Sequence, residues 1–332
     1  MAADNEDRKL IYKVAKAYYD DSLTQQEVAR TFHLSRVKVS RLLARARRER
    51  LVEITIHPPI ETTAQMEREL AERFGLKDAI VAMLRDDSRQ SVIDAVGHAA
   101  AGYLMRTLGG GETVGLTWGT AVLSVVNALQ SVRLPDVKVV QLVGGVGPPQ
   151  ANTHGTDLAR RMAQAFGARP HLLHAPGVVK SELVRDGLIT DPQVSEPLRL
   201  AESSDIALVG IGTLLPESTL VQSDCIFTKP EIESLRQLSC VGDIALQFFD
   251  ADGRKVQTPL DRRIIGLTQD QMRRVGRVVG VAGGMDKLTA IRAALRGRWI
   301  HVLVTDERVA NALLREAEAE RQPRARTPVE QA

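Results

Sequence analysis

Three glycine-containing segments carry the residues best suited to bind a small polar ligand. They are Thr117-Trp118-Gly119-Thr120, Gly144-Gly145, and Gly283-Gly284 just before Lys287. Backbone amides and hydroxyls at strand-to-helix turns bind phosphate and polyol oxygens. The helix dipole disfavours a lysine at a helix N-terminus, and a bound anion would relieve that conflict. The segments therefore predict a pocket for a phosphate, a carboxylate or a polyol.

Each residue that could contact the ligand also has a structural alternative. Gly119 suits a tight turn, and Lys287 suits a solvated surface. Trp118 could stack on a sugar or fill the core. Asp243 could hold sugar hydroxyls or end a strand, and Asn152 could bind the ligand or cap the next helix. We predict ligand contacts from all five residues.

The chain offers little for metal or covalent chemistry. Its two cysteines, Cys225 and Cys240, lack the Cys-x-x-Cys spacing, so we predict neither a disulfide framework nor a thiolate zinc site. His154, His171 and His174 lack metal-ligand spacing with carboxylates on one helix face. We predict no metal site, no cofactor and no catalytic residue.

A second group of residues is suited to binding nucleic acid. Residues 35–50 hold seven Lys/Arg and one Glu. At about 100° per residue the basic side chains oppose an apolar stripe, so the segment predicts an amphipathic helix that neutralises phosphates. A merely solvated basic face is the alternative. The predicted DNA contacts are Thr24, Gln25, Ser35, Arg36, Lys38 and Arg41, with Arg45 and Arg48 nearer the backbone.

The elements around this basic helix complete a helix-turn-helix. Residues 8–19 show helical spacing, Thr24 and Glu27 form a capping box for a short helix, and Ser35 caps the basic helix. Two helices joined by a tight turn are the helix-turn-helix pattern. Alternation over residues 52–56 predicts a following strand, which would make the domain winged. We therefore predict an all-α helix-turn-helix domain of the winged type.

The rest of the chain alternates short apolar runs with helical patterns. Strands are predicted over 79–84, 113–116, 137–143, 170–173, 205–211, 243–249, 277–281 and 299–304, and helices over 90–108, 120–130, 156–166, 268–274, 287–295 and 308–315. Continuous Val/Ile/Leu runs separated by helices predict a Rossmann-like α/β domain with a mainly parallel sheet. Ligands of such sheets bind at the carboxyl ends of the strands.

Charge and length divide the chain into domains. Residues 1–57 hold 12 Lys/Arg against 8 Asp/Glu, whereas the remainder holds 32 against 33. We predict a DNA-binding domain at 1–57, a linker and helix at 58–78, an effector domain at 79–316 and a disordered tail at 317–332. The helix over 62–74 could be a dimer seam or pack on the larger domain.

Composition also predicts where the protein works. No stretch approaches ~20 uninterrupted apolar residues, so we predict no transmembrane helix. The polar, acidic N-terminus lacks the apolar core of a secretory signal. We therefore expect a cytoplasmic protein that does not bind membranes.

Linked motifs along the chain resemble those of the SorC-type sugar-responsive regulators. They are Leu23-Thr24-Gln25-Gln26-Glu27-Val28-Ala29, Leu34-Ser35-Arg36-Val37-Lys38-Val39-Ser40-Arg41-Leu42-Leu43, Leu51-Val52-Glu53-Ile54, Gly115-Leu116-Thr117-Trp118-Gly119-Thr120, Val140-Gln141-Leu142-Val143-Gly144-Gly145, Val241-Gly242-Asp243-Ile244, Ala282-Gly283-Gly284-Met285-Asp286-Lys287 and Ile300-His301-Val302-Leu303-Val304-Thr305-Asp306. One departure is His33, where the family often has glycine. A non-glycine residue there needs a positive φ at modest cost.

The resemblance implies a fold, an assembly and ligand contacts. The family's effector domain is similar to ribose-5-phosphate isomerase and glucosamine-6-phosphate deaminase. Family members form tetramers, and their effector pocket includes residues that match Asp243 and the segment Gly283-Gly284 to Lys287. These properties are expectations for this chain.

Three functions compete on the sequence alone. A sugar-phosphate enzyme would need an acid–base group, for which Asp243 is the only obvious candidate. An architectural DNA-binding protein would leave Lys287 and the glycine-rich segments without a role. We therefore predict a regulator rather than an enzyme. Its partners would be palindromic double-stranded DNA, a sugar, polyol or sugar-phosphate effector, and further copies of itself in a dimer or tetramer.

Overall fold

The computed structural model describes residues 2–21, 23–49, 51–52, 63–146, 154–216, 218–222 and 226–321. The chain divides into two units, residues 1–62 and 63–332. From residue 63 onward, the helix predicted over 62–74 therefore belongs to the larger unit, whereas the sequence placed it in a linker segment at 58–78, before a domain that begins at residue 79. Of the predicted strand over 52–56, only Val52 is described. The wing and Asn152 lie outside the described residues.

Three described helices form the smaller unit: α1 (Ala2–Tyr19), α2 (Gln25–Thr31) and α3 (Arg36–Arg48). Thr24 and Glu27 form the predicted capping box at α2, and the Ser35 hydroxyl accepts a hydrogen bond from the Lys38 amide at 3.2 Å. His33 lies in the turn at a φ of 53°, as predicted. Buried Val28, Val39 and neighbouring apolar residues hold the three helices together.

The larger unit is built from strands and helices in alternation. Its described strands are β1 (Asp78–Ala82), β2 (Thr113–Leu116), β3 (Lys138–Gln141), β4 (Arg169–His171), β5 (Ile206–Gly210), β6 (Gly212–Thr213), β7 (Gly242–Ile244), β8 (Gln247–Phe249), β9 (Arg277–Val281) and β10 (Val302–Asp306). Its described helices are α4 (Ala64–Phe74), α5 (Arg89–Thr107), α6 (Thr120–Ala128), α7 (Gly155–Phe166), α8 (Glu182–Thr190), α9 (Pro192–Glu202), α10 (Thr219–Gln222), α11 (Lys229–Gln237), α12 (Gln269–Arg274), α13 (Leu288–Arg296) and α14 (Glu307–Arg321). Pro259–Arg263 and Met285–Lys287 form 3₁₀ turns.

The main sheet of the larger unit is entirely parallel over its described strands. Its seven strands have the order β1-β10-β9-β5-β2-β3-β4, and every pair is parallel. Along β5, Ile206 and Leu208 join one hydrophobic cluster while Ala207 and Val209 join another. Both faces of the strand are therefore buried, which explains its continuous apolar sequence.

The strand order reverses between the neighbouring strands β2 and β5. From β2 the chain proceeds through β3 and β4 toward one edge, and from β5 through β9 and β10 toward the other. Loops that leave two such strands diverge to opposite sides and open a crevice at the carboxyl ends. This topological switch point is where a ligand site is expected.

The structure corrects several predicted elements. The predicted strand over 243–249 is a hairpin, in which β7 and β8 pair antiparallel beside β6. The last helix continues to Arg321, five residues into the predicted tail. Helices α8, α9 and α11 were not predicted. Among the described residues, no helix is both long and apolar enough to cross a membrane.

Helix α4 packs on the larger unit, which decides between its two predicted roles. Leu70 is fully buried in the same cluster as β1, and Met66 and Phe74 pack against that cluster. The Glu67 carboxylate accepts a hydrogen bond from the Val81 amide at 2.9 Å. The apolar stripe of α4 is therefore used within the chain.

Candidate functional site

A pocket opens at the switch point, where β2 and β5 end. It is lined by Arg89, Thr117, Trp118, Gly119, Thr120, Ala121, Gly210, Ile211, Gly212, Thr213, Ser218, Leu220, Asp243, Ala245, Asp286 and Lys287. The loops after β2 and β5 supply most of the backbone in this wall. Six residues that the sequence assigned to effector binding, including Asp243 and Lys287, are thus brought together.

The loop after β2 presents hydrogen-bond donors to this pocket. Gly119 has a φ of 107° and precedes α6 without any side-chain hydrogen bond at the cap. A positive φ strains most residues with a side chain, so glycine suits this turn. Thr120 and Ala121, the first residues of α6, line the pocket, and no side chain at the cap bonds to the helix amides there. Such amides can bind an anion or a hydroxyl oxygen.

Thr117 and Trp118 have partly structural roles in the same loop. Thr117 is buried, and its hydroxyl accepts a hydrogen bond of 3.4 Å from the Gly210 amide, which ties the β2 loop to the β5 loop. Trp118 lines the pocket and also packs against a hydrophobic cluster. Both predicted roles of Trp118, stacking and core filling, are therefore compatible with its position.

Asp243 is a carboxylate buried at the edge of the pocket. It is 7% exposed, and its Oδ2 accepts a hydrogen bond from the Leu246 amide at 3.1 Å. Burial raises the pKa of this carboxyl to about 6, although the Leu246 amide and the nearby Lys287 ammonium act in the opposite direction. A carboxyl with this pKa can exchange its proton near neutral pH.

Lys287 brings a cation into the same pocket. It ends the 3₁₀ turn Met285–Lys287 directly before α13, and its Nζ donates a hydrogen bond to the Ile211 carbonyl oxygen at 3.0 Å. Burial lowers the pKa of the ammonium, while Asp286 and Asp243 raise it. The lysine is partly buried rather than on a freely solvated surface.

A strained hairpin turn positions Asp243. Ala245 and Leu246 connect β7 to β8 at φ values of 53° and 63°, and both are buried. Two-residue turns with this pattern favour Asn and Gly. The surrounding packing must therefore hold the turn, and strain of this kind clusters at functional sites. Ala245 itself lines the pocket.

Gly212 leaves the space that the Asp243 carboxylate occupies. A Cβ built on Gly212 would lie 2.0 Å from Asp243 Oδ1. Gly212→Ala should therefore lower the free energy of unfolding by about 1–3 kcal/mol, because the buried carboxylate must shift. Denaturant titration of the purified protein measures this loss. The matched control is Gly187→Ala in α8, where nothing lies within 4 Å of the added Cβ. An equal change in both variants would contradict the steric role.

The buried charge of Asp243 predicts a pH-dependent stability difference. Between its usual pKa of 3.8 and about 6, the folded protein holds a proton that the unfolded chain releases. The free energy of unfolding therefore falls as pH rises through this window. Asp243→Asn removes the cost of burying the charge. It should raise the melting temperature relative to wild type at pH 7.5 and by about half as much at pH 5, where the unfolded chain is already largely ionised. A constant difference at both pH values would refute this account.

Gly283 and Gly284 line a second cavity beside the pocket. The cavity also includes Arg89, Thr120 and Lys287, so the two spaces share part of their walls. The Gly284 amide donates a hydrogen bond to Asp306 Oδ2 at 2.7 Å. That amide therefore already has a partner, and the glycines position Lys287 more than they offer free donors.

Gly144 and Gly145 do not line this pocket. The Gly144 amide donates to the Ile265 carbonyl at 2.9 Å and the Gly145 amide to Ala175 at 2.8 Å. A Cβ on Gly144 would lie 2.7 Å from the backbone of Pro176. The close approach that the glycine pair predicts is made by the chain's own backbone. Asn152, also predicted at the site, is outside the described residues.

Several pocket residues were missed from the sequence. Arg89 begins α5, whose start the Ser88 cap marks, but nothing local shows that this start faces the β5 loop. Gly210 and Gly212 flank Ile211 directly after an apolar run, and this spacing was the one available signal. Ser218 and Leu220 reach the pocket through tertiary structure alone.

The smaller unit presents the predicted DNA-binding residues mainly on one helix. Ser35, Arg36, Lys38, Arg41 and Arg48 are exposed on or beside α3. Arg45 is only 31% exposed in its side chain and pairs with Glu49 at 2.5 Å. The Thr24 hydroxyl donates to Glu27 within the capping box, and Gln25 follows it at the start of α2.

The larger unit matches a family of sugar-binding domains. The family model described as "Putative sugar-binding domain" matches residues 58–315. The chain is 30% identical to the Deoxyribonucleoside regulator of Bacillus subtilis (strain 168) over 311 residues, or 94% of this chain and 99% of that protein. It is 31% identical to the Erythritol catabolism regulatory protein EryD of Brucella abortus (strain 2308) over 316 residues, covering 94% and 98% of the two chains.

A solved structure extends the likeness to the whole fold. The crystal structure of the full-length Sorbitol Operon Regulator SorC from Klebsiella pneumoniae matches with a TM-score of 0.71 and 30% sequence identity, and the match covers 93% of this chain and 99% of that one. These similar proteins are regulators, not enzymes.

Proposed function

Because the chain belongs to the SorC-type family of sugar-binding transcriptional regulators, we propose that its switch-point pocket binds the effector that controls DNA binding. The proposed effector is a sugar, a polyol or a sugar phosphate. The proposed DNA partner is a palindromic operator of a carbohydrate catabolic operon in the cytoplasm. The regulator reads this operator through α3.

One observation carries the effector assignment: Asp243 and Lys287 line the same pocket with opposite charges. The carboxylate is buried at a cost, since burial raises its pKa. Natural proteins accept such costs chiefly where function requires the group. A carboxylate that accepts hydroxyl hydrogens, beside an ammonium and helix amides that donate, suits a small polyhydroxylated molecule.

The names of similar regulators favour the same ligand class. These names refer to deoxyribonucleosides, sorbitol and erythritol, each of which carries more than one hydroxyl group. A phosphate on such a molecule would suit the donors at the start of α6. The Asp243 carboxylate and the Lys287 ammonium are compatible with both the free and the phosphorylated forms of such an effector.

Coupling to DNA is proposed to run through the assembly of several copies. A homodimer or homotetramer would place pairs of reading helices about 34 Å apart on palindromic DNA. The effector would bind one arrangement of the copies better than another, and only that difference in affinity can shift DNA binding.

DNA-binding measurements test this proposal directly. The full chain is titrated onto DNA from upstream of its own gene at several salt concentrations, with a panel of sugars, polyols and sugar phosphates. We expect salt-dependent specific binding that one compound changes by more than about tenfold, which is ~1.4 kcal/mol of coupling. Absence of specific binding at every salt concentration would reject the proposal.

A further inference from the structure

The outward face of α3 carries an apolar residue that the core does not use. Val37 is 62% exposed and lies between exposed Arg36 and Lys38 in the first turn. It takes no part in the hydrophobic cluster of the smaller unit, which uses Val39 and later residues of the same helix. Val37 thus presents its methyl groups to whatever α3 contacts.

Helical geometry places Val37 at the centre of that outward face. With about 100° between successive residues, the direction opposite the buried side chains passes through Val37, Arg41, Ala44 and Arg48. Ala44 is exposed as well, and its small side chain allows close approach. Lys38 and Arg45 lie to the side of this line. The middle of the face therefore combines apolar groups with basic ones.

A merely solvated helix face would not favour this arrangement. An exposed β-branched residue weakens a helix relative to alanine or lysine, because its χ1 is restricted. An isolated exposed apolar residue is ordinary on a protein surface. Val37 differs from such a residue because it lies in the first turn of α3, the proposed DNA-recognition helix. Residues in that turn reach base edges.

We propose that Val37 reads a thymine of the operator by packing against its C5-methyl group in the major groove. That methyl distinguishes thymine from the other bases there, and an apolar side chain is its natural partner. Arg41 and Arg48 on the same line would hold the helix against the DNA, and Ala44 would let it approach. This inference rests on the proposed DNA-binding function.

Deoxyuridine substitution tests the contact, because it removes only the thymine methyl. Each thymine of the bound operator is replaced in turn by deoxyuridine, and the affinity of the full chain is measured for wild type and Val37→Ala. We expect at least one position, repeated in the symmetric half-site, to weaken wild-type binding by about three- to tenfold. The same position should have no effect on Val37→Ala.

The matched control is Tyr12→Ala, which removes a 57% exposed side chain from α1 instead of α3. This variant should keep the full deoxyuridine penalty. The thymine contact would be overturned if no deoxyuridine substitution weakened binding by the wild type, or if the loss of affinity persisted in Val37→Ala. Either result would leave DNA binding itself in place. Failure of the wild type to form any specific complex would instead reject the DNA-binding function, and the contact with it.

Discussion

Lys287→Ala is expected to abolish the effector response of the DNA complex while affinity for DNA without effector changes by less than about twofold. The lysine lines the pocket, and its removal leaves the Asp243 carboxylate without its nearby cation. The loss of one charged hydrogen bond to a bound ligand corresponds to about 1.5–3 kcal/mol, or a factor of ten or more in affinity. The measurement is DNA binding with the active compound of the panel, with and without the substitution.

Control variants separate this effect from general damage. Lys180→Ala removes the same charge at an exposed position and should keep the full response. Lys287→Arg keeps the positive charge but replaces a compact ammonium with a larger planar guanidinium. A weakened effector response is therefore expected. Lys287→Ala also leaves the Ile211 carbonyl without its donor, and a thermal melt should confirm that the variant remains folded. Equal effector sensitivity in wild type and Lys287→Ala would contradict the assignment of Lys287 to the effector site.

The sequence predicted the parts of the fold that periodicity controls. The strands β2 and β9 have the predicted bounds, and the caps at Thr24 and Ser35 form as the local pattern requires. These features depend on neighbouring residues, so the sequence contains enough information to place them. That Asp243 and Lys287 share one pocket was expected from the family resemblance and not from strand geometry, because Asp243 lies in β7 of the small antiparallel sheet.

The errors have a common physical origin in tertiary contacts. The hairpin turn at Ala245 and Leu246 contains neither glycine nor asparagine, so the run over 243–249 gave no turn signal. Gly144 indicates a close approach, but its partner is backbone more than 30 residues away at Pro176. Arg89 enters the pocket because of how α5 packs. The local sequence indicates that other atoms closely approach a residue, but only the three-dimensional fold shows which atoms these are.

Arg41→Ala combined with Arg48→Ala is expected to weaken DNA binding about 10- to 1,000-fold at moderate salt. Both arginines lie on the outward line of α3 and are exposed, so they are the basic groups placed to meet DNA most directly. Each lost phosphate contact should reduce the slope of log affinity against log salt by about 0.9. The measurement is a salt titration of the DNA complex, with a predicted slope change of about 1 to 2 for the double variant.

The comparison with other arginines makes this prediction specific. Arg133→Ala combined with Arg169→Ala removes the same charge from exposed positions of the larger unit and should leave the slope unchanged. Arg45→Ala should have a smaller effect than either outward arginine, because its guanidinium already pairs with Glu49. A fall in affinity with an unchanged slope would mean that Arg41 and Arg48 stabilise α3 rather than contact phosphates. The salt slope therefore decides whether the basic face of α3 binds DNA or only surrounds the residues that do.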